Sequence, residues 1–96
     1  MPRPNERSLS EALKDLVQDL GLRAKLDESA IRADWETIVG GMIARHTTGL
    51  RLLSGRLHVK VDSAPLRQEM TYMREDLRLR INEKLGREVV REVVVE

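Results

Sequence analysis

The sequence predicts a single α+β domain in which helices pack on one face of a small three-stranded mixed sheet. Three observations predict this class. Apolar residues recur at helical spacing in three segments, a two-residue turn signal joins two short alternating segments, and a valine-rich segment lies near the end. The expected order is α-α-β-β-α-β, and one core suits a chain of 96 residues. Residues 8–96 are expected to form this domain, after a flexible lead-in over residues 1–7.

The first predicted helix is amphipathic and spans residues 8–20. Ser8 or Ser10 can serve as its N-cap, and an acidic residue follows Ser8 at the spacing of a capping box. Gly21 is expected to end the helix. Its apolar positions recur every three or four residues and share one face: Leu9, Leu13, Leu16, Val17 and Leu20.

A second helix is expected from about Glu28 to Val39, with Asp27 as its cap. Gly40-Gly41 interrupts it, and residues 42–44 add one further turn before the sheet. Trp35, the only tryptophan, shares the apolar face of this helix. We therefore expect a core anchor, the alternative being an aromatic residue that faces a partner.

Two strands, Gly49 to Leu53 and Arg56 to Val61, flank the turn signal Ser54-Gly55. If this turn is the whole loop, the cross-strand pairs are Leu53–Arg56, Leu52–Leu57, Arg51–His58 and Leu50–Val59. Side-chain alternation then places five apolar residues on the core face: Leu50, Leu52, Leu57, Val59 and Val61. The opposite face carries Arg51, Leu53, Arg56, His58 and Lys60, and it is expected to form a basic platform.

A third helix is expected after Ser63, its N-cap, and before Gly86. Its core-facing stripe consists of Leu66, Met70, Met73, Leu77, Ile81 and Leu85. A break near residues 71–75 is one alternative, because an unbroken helix would be much longer than the strands. An unbroken helix returns the last strand, Val89 to Val95, parallel to the second strand, whereas two helices let it run parallel to the first.

The charge distribution points to a polyanion as ligand, although the net charge is only +1. Residues 37–61 contain four Lys/Arg residues, both histidines and no Asp or Glu. Local charge, more than net charge, attracts a polyanion. The candidate nucleic-acid-binding residues are Arg45, Arg51, Arg56, His58 and Lys60. The alternative is a solvated sheet face whose charges keep strands from pairing wrongly.

Composition excludes several other classes. The chain has no cysteine, which excludes disulfides, thiol catalysis and cysteine-ligated zinc, and no apolar run long enough to span a bilayer. With no signal peptide, we expect a cytoplasmic protein. No glycine-rich phosphate loop is present, so we expect no enzymatic activity and no cofactor. His46 and His58 make a poor metal site, because no cysteine or obvious carboxylate accompanies them. We expect His46 to hydrogen-bond a backbone group, the alternative being an anion bound by backbone N–H groups near Gly40-Gly41.

Three motifs in order resemble the bacterial DciA-like family. They are the run Trp35-Glu36-Thr37-Ile38-Val39-Gly40-Gly41-Met42-Ile43-Ala44-Arg45-His46-Thr47, the run Gly55-Arg56-Leu57-His58-Val59-Lys60-Val61 with Ser63, and the run Ile81-Asn82-Glu83-Lys84-Leu85-Gly86 with Val89 to Val94. The resemblance covers roughly residues 8–95. It implies a KH-like fold and a replication accessory that binds the DnaB-type helicase and DNA and assists helicase loading.

Two other functions remain open at the level of the sequence. One is an RNA-binding or ribosome-associated KH-like domain, although no GxxG loop of the KH kind is present. The other is a protein–protein adaptor that makes no contact with nucleic acid.

Overall fold

The computed structural model describes residues 8–96 and confirms the α+β class with a mixed three-stranded sheet. The predicted lead-in over residues 1–7 lies outside the described residues. Along the chain the elements are α1 (Leu9–Ala33), α2 (Trp35–Val39), α3 (Gly41–His46), β1 (Thr47–Leu53), β2 (Arg56–Val61), α4 (Ala64–Tyr72), α5 (Arg74–Leu85) and β3 (Glu92–Val95).

Helix α1 corrects the prediction of two separate helices before the sheet. Ser8 caps it as expected, because its Oγ accepts the N–H of Glu11 at 3.2 Å. Gly21, however, does not end the helix, which runs on to Ala33. A glycine inside a helix costs only about 1 kcal/mol, and helical residues on both sides of Gly21 outweigh this cost. Asp27 is not a cap either, because it lies buried within α1 and pairs with Arg87.

Two short helices connect α1 to the sheet. Gly40, at φ +89°, separates α2 from α3, so the predicted interruption and further turn are confirmed. Trp35 is 5% exposed and is the expected core anchor. Its indole N–H donates to Thr47 Oγ1 at 2.9 Å, and that hydroxyl donates to the Ile43 carbonyl at 2.7 Å. This chain of hydrogen bonds fixes the start of β1 against the helices.

The hairpin has the predicted register, from Leu50 opposite Val59 to Leu53 opposite Arg56. Ser54 and Gly55 both have positive φ, 51° and 79°, as a type I′ turn requires. β1 begins two residues earlier than predicted, at Thr47. The outer edge of β1 is covered by α1, because Arg32 donates to the Leu50 carbonyl at 2.6 Å and Glu28 accepts the Leu52 N–H at 2.8 Å.

The predicted break in the third helix occurs at Met73, between α4 and α5. β3 nevertheless lies beside β2 and runs parallel to it, so the expectation that two helices allow pairing with β1 is wrong. The physical reason is that one residue near helical geometry, with φ −99° and ψ 5°, does not reverse the chain. α4 and α5 together therefore act as a single crossover.

β3 is shorter than the predicted strand, which was expected to begin at Val89. The side chain of Asn82 takes the backbone groups that a longer strand would use. Its Oδ1 accepts the N–H groups of Val89 and Val90 at 2.9 and 2.8 Å, and its Nδ2 donates to the Val90 carbonyl at 2.8 Å. Residues 89–90 are thus held against α5, and β3 begins at Glu92.

The core lies on one face of the sheet only. Strand residues such as Leu57 and Val59 meet the apolar stripe of α4 and α5, whose members Met70, Leu77 and Ile81 are fully buried. The opposite face of the sheet has no covering element among residues 8–96 and is open to solvent. This open face is where the sequence placed the basic platform.

Candidate nucleic-acid interface

The open face of the sheet carries the alternate residues of β1 and β2. Leu53, Arg51, Arg56 and Lys60 are exposed and His58 is half-buried, while the intervening apolar residues point into the core. Arg51 lies directly opposite His58, and Gly49 lies opposite Lys60. Four of the five candidate residues are therefore brought together. The fifth, Arg45, is exposed in the last turn of α3, outside the sheet.

The third strand adds acidic residues to this face, which the charge pattern of the sequence did not reveal. Arg56 pairs with Glu92 across the parallel strands, with Nε–Oε2 at 3.0 Å, and His58 Nδ1 lies 3.6 Å from Glu96 Oε1. These glutamates follow the acid-free window by more than 30 residues. Period-two alternation of β3, combined with parallel pairing to β2, would have predicted their position.

Within residues 8–96, Arg51, Lys60 and Arg45 have no ion-pair partner. Among the described residues, no carboxylate competes with a ligand for Arg51 or Lys60 on the open face. The absence of a side chain at Gly49 leaves the stem of Lys60 lying close to the backbone of β1. The unneutralised positive charge of the face is concentrated in these two residues.

Arg91 is a further basic residue near the sheet that the sequence did not single out. Its guanidinium lies over the β1–β2 turn, where it donates to the Ser54 carbonyl at 2.6 Å. A Cβ at Gly55 would stand 2.5 Å from Arg91 Nε, so a larger residue there would displace this guanidinium. Arg91 therefore joins the turn to the segment before β3.

The two histidines face different carboxylates and do not form a common site. His46 Nδ1 is 2.8 Å from Asp62 Oδ1, so its partner is a side chain and not the expected backbone group. Asp62 is the first residue after β2 and stands beside the start of β1, which explains the contact. His58 faces Glu96. Residues 8–96 contain no cluster of three His, Cys, Asp or Glu side chains that could hold a metal ion.

A family comparison decides what this domain is related to. The family described as "Dna[CI] antecedent, DciA" matches residues 8–95. The chain belongs to the DciA family. The match includes all five candidate residues and the three motifs that resemble the family. DciA membership associates the chain with bacterial DNA replication.

Two curated relatives of this DciA domain are UPF0232 proteins from Mycobacterium leprae. They are MLBr00004 from strain Br4923 and ML0004 from strain TN, each 29% identical over 92 residues. The matched region is 93% of this chain and 49% of each relative, so the chain spans about half the length of the curated relatives it matches. No solved structure matches the chain.

Most basic residues of α5 in the DciA domain are engaged locally. Arg78 donates to both carboxylate oxygens of Glu75, at 2.9 and 2.6 Å, and this hydrogen bonding lowers the pKa of Glu75 below its usual value and raises the pKa of Arg78. Arg80 pairs with Asp76, one helical turn earlier, at 3.0 Å. None of the helices within residues 8–96 is both long and apolar enough to cross a membrane.

Proposed function

We propose that this chain is a non-enzymatic DNA-replication accessory module that binds a DnaB-type replicative helicase and DNA and thereby assists helicase loading. The observation that carries the proposal is the DciA family match over residues 8–95. The absence of a glycine-rich phosphate loop from the sequence agrees with a role that uses the helicase's own nucleotide chemistry.

DNA contact is assigned to the open face of the sheet. Arg51 and Lys60 can neutralise phosphates directly, because neither is paired with a carboxylate of residues 8–96. Arg56 and His58 contribute less, since Glu92 and Glu96 stand beside them and repel a phosphate. Arg45, exposed in the last turn of α3, is a further candidate for a phosphate contact outside the sheet. Contacts of this kind bind by charge and counterion release and require no aromatic residue.

A salt-dependent DNA titration tests this assignment. For duplex DNA, each phosphate contact contributes about −0.9 to the slope of log K against log salt. Arg51→Gln with Lys60→Gln is therefore expected to lower the magnitude of the slope by about 1.8 and to weaken binding. The control, Arg80→Gln with Lys84→Gln, removes the same charge from exposed positions of α5, on the far side of the core. Equal losses in both variants would contradict a DNA surface on the sheet.

A complementary variant tests whether the glutamates oppose binding. Glu92→Gln with Glu96→Gln removes two negative charges from the open face and is expected to raise DNA affinity severalfold, because both carboxylates lie beside basic residues. Unchanged affinity would place the DNA on another surface.

Helicase binding is tested by a pull-down with the cognate DnaB-type helicase, run with wild-type protein and with the Arg51/Lys60 variant. We expect the wild type to retain the helicase. Failure to form this complex, together with salt-insensitive or absent DNA binding, would refute the proposed function.

A protein–protein adaptor without nucleic-acid contact is the second candidate, favoured by the carboxylates of Glu92 and Glu96, which stand beside Arg56 and His58 on the open face. In that case the helicase or another protein is retained and the titration detects no DNA. A preference for structured RNA over DNA in the same titration would instead support the RNA-binding alternative.

We also propose that the fold is KH-like, as the resemblance implies. The order β1, β2, helix, β3 around a three-stranded sheet supports this classification. Because the sequence lacks a GxxG loop, nucleic-acid contact is assigned to the sheet and not to a loop that clamps the backbone.

A further inference from the structure

The amino-terminal half of α1 exposes a continuous apolar stripe. The stripe consists of Leu9, Leu13, Leu16, Val17 and Leu20, whose exposure lies between 51% and 77%. From residue 9 to residue 23 every residue except Asp15 is exposed, so this half of the helix extends past the sheet. The spacing of the stripe places it on one face, as the sequence predicts, but no part of the described domain covers it.

The stripe lies on the same side of α1 as the residues that dock on the domain. With about 100° between successive residues, Ala24, Asp27 and Ile31 fall within the same arc as the stripe. Asp27 and Ile31 are buried against the rest of the domain. The domain therefore stands on the stripe side of α1 and ends near Ala24. There the stripe meets a groove of about 730 Å³, whose walls include Leu20, Leu53 and Val89.

The exposed stripe is energetically unfavourable for an isolated domain. Full burial of one aliphatic side chain is worth about 1.5–3 kcal/mol at about 25 cal/mol per Å², so five of them present roughly 300–600 Å². Patches of that size on a monomer are frequently interaction sites. An isolated helix of about 15 residues is also only marginally stable in water, so this half of α1 gains stability from a partner.

The length and apolar pattern of the stripe match those of a single helix. The available space runs along α1 from Leu9 to the groove at Ala24, a length of about 22 Å at 1.5 Å per residue. A second α1 from another copy of the chain has this length and the same apolar stripe. A parallel arrangement would bring two domains together at the same end and on the same side, where they would collide. An antiparallel arrangement places each domain beyond the amino-terminal end of the other helix.

We propose that two copies of this chain associate through antiparallel pairing of their α1 stripes. The two-fold axis lies between Leu16 and Val17, which face each other across the pair. The same symmetry sets Leu13 against Leu20 of the second copy and Leu9 against Ala24 of the second copy, at the mouth of the groove. Each contact occurs twice, as an isologous interface requires.

The area agrees with a weak but specific dimer. The two stripes together bury roughly 600–1,200 Å², which is at or below the lower limit of about 1,200 Å² for stable interfaces and within the range of weak, transient complexes. We therefore expect a dissociation constant on the order of 10 μM. The groove at Ala24 is also lined by Arg51 and Leu53 of the open face, so the second copy reaches the edge of that face. The test of the dimer therefore changes residues of α1 alone.

Sedimentation equilibrium of the whole chain across a concentration series tests the proposal. Leu13→Glu with Leu20→Glu sets like charges against each other and is expected to raise the dissociation constant at least about 100-fold. The matched control is Leu22→Glu with Leu26→Glu, which alters two leucines of α1 that are 55% and 68% exposed on the opposite side of the helix. The control is expected to dimerise like the wild type. Helical content from circular dichroism verifies that each variant is folded.

A charge-swap variant tests the orientation. Leu13→Glu with Leu20→Lys places opposite charges face to face in an antiparallel pair, but like charges face to face in a parallel pair. We expect this variant to dimerise more strongly than the double glutamate variant. A wild-type chain that remains monomeric at about 500 μM, equal effects of the stripe and control variants, or a charge swap no better than the double glutamate would overturn the proposal.

Discussion

Replacement of Asn82 by alanine is expected to destabilise the domain strongly, because this one side chain holds the segment before β3. It makes three hydrogen bonds of 2.8–2.9 Å with the backbone of Val89 and Val90. Val90 is fully buried, so its N–H and C=O cannot turn to water instead. At about 0.5–1.5 kcal/mol for each bond, and more for a buried group left unpaired, the loss is about 3 kcal/mol. For a domain of this size, that lowers the Tm by about 15 °C.

Urea denaturation and thermal unfolding measure this loss. Asn82→Asp keeps an oxygen that can accept both N–H groups but loses the bond donated to the Val90 carbonyl, so we expect a smaller loss of about 1–2 kcal/mol. Glu83→Ala, at the exposed neighbouring position of α5, is the control and is expected to change the free energy of unfolding by less than about 0.5 kcal/mol. If Asn82→Ala resembled the control, the explanation of where β3 begins would be refuted.

Three further perturbations follow from the contacts of the domain. Arg87→Ala leaves the buried carboxylate of Asp27 without its partner and is expected to destabilise the domain by about 2 kcal/mol in urea denaturation. Asp27→Asn leaves only a half-exposed guanidinium without a partner, so we expect it to destabilise the domain less. The reverse order of the two variants would contradict this account. Thr47→Val removes the acceptor of the buried Trp35 indole N–H and is expected to lower the free energy of unfolding by about 1–3 kcal/mol in urea denaturation. An unchanged free energy of unfolding would show that this hydrogen bond does not stabilise the domain. The hydrogen bond from Arg78 lowers the pKa of Glu75, so the stabilisation from this pair is present above the ordinary carboxyl pKa and is lost as the pH falls through the lowered pKa. In the Arg78→Gln variant, we expect an NMR titration to show that the pKa of Glu75 has returned toward its usual value. An unmoved pKa would exclude Arg78 as the cause.

Much of the hairpin could be predicted from the sequence, because its determinants are neighbours along the chain. Ser54-Gly55 fixes the turn, the turn fixes the register, and period-two alternation then assigns each side chain to a face. The same local logic identified the Ser8 and Ser63 caps and the left-handed end of α5 at Gly86. Each of these features involves residues within a few positions of one another.

Most features that could not be predicted depend on side chains outside the local pattern. Asp27 suggested a helix cap, but it is used by Arg87, 60 residues away. The continuation of α1 through Gly21 is instead a local effect, because the helical preference of the surrounding residues outweighs the cost of one glycine. The prediction that β3 begins at Val89 was wrong. The valines favour a strand there, but the side chain of Asn82 accepts the N–H groups of Val89 and Val90, so β3 begins at Glu92. A local pattern does not report competition of this kind.

The sequence by itself determined that the chain is an α+β domain of the DciA family and that Arg51, Arg56, His58 and Lys60 share a sheet face. Only the tertiary structure decided how basic that face is, since parallel pairing of β3 with β2 brings Glu92 and Glu96 beside Arg56 and His58. It also decided that the apolar stripe of α1 remains uncovered. The physical reason is the same in both cases. Alternation and helical periodicity fix which side a residue faces, but only the packing of whole elements determines what stands opposite it.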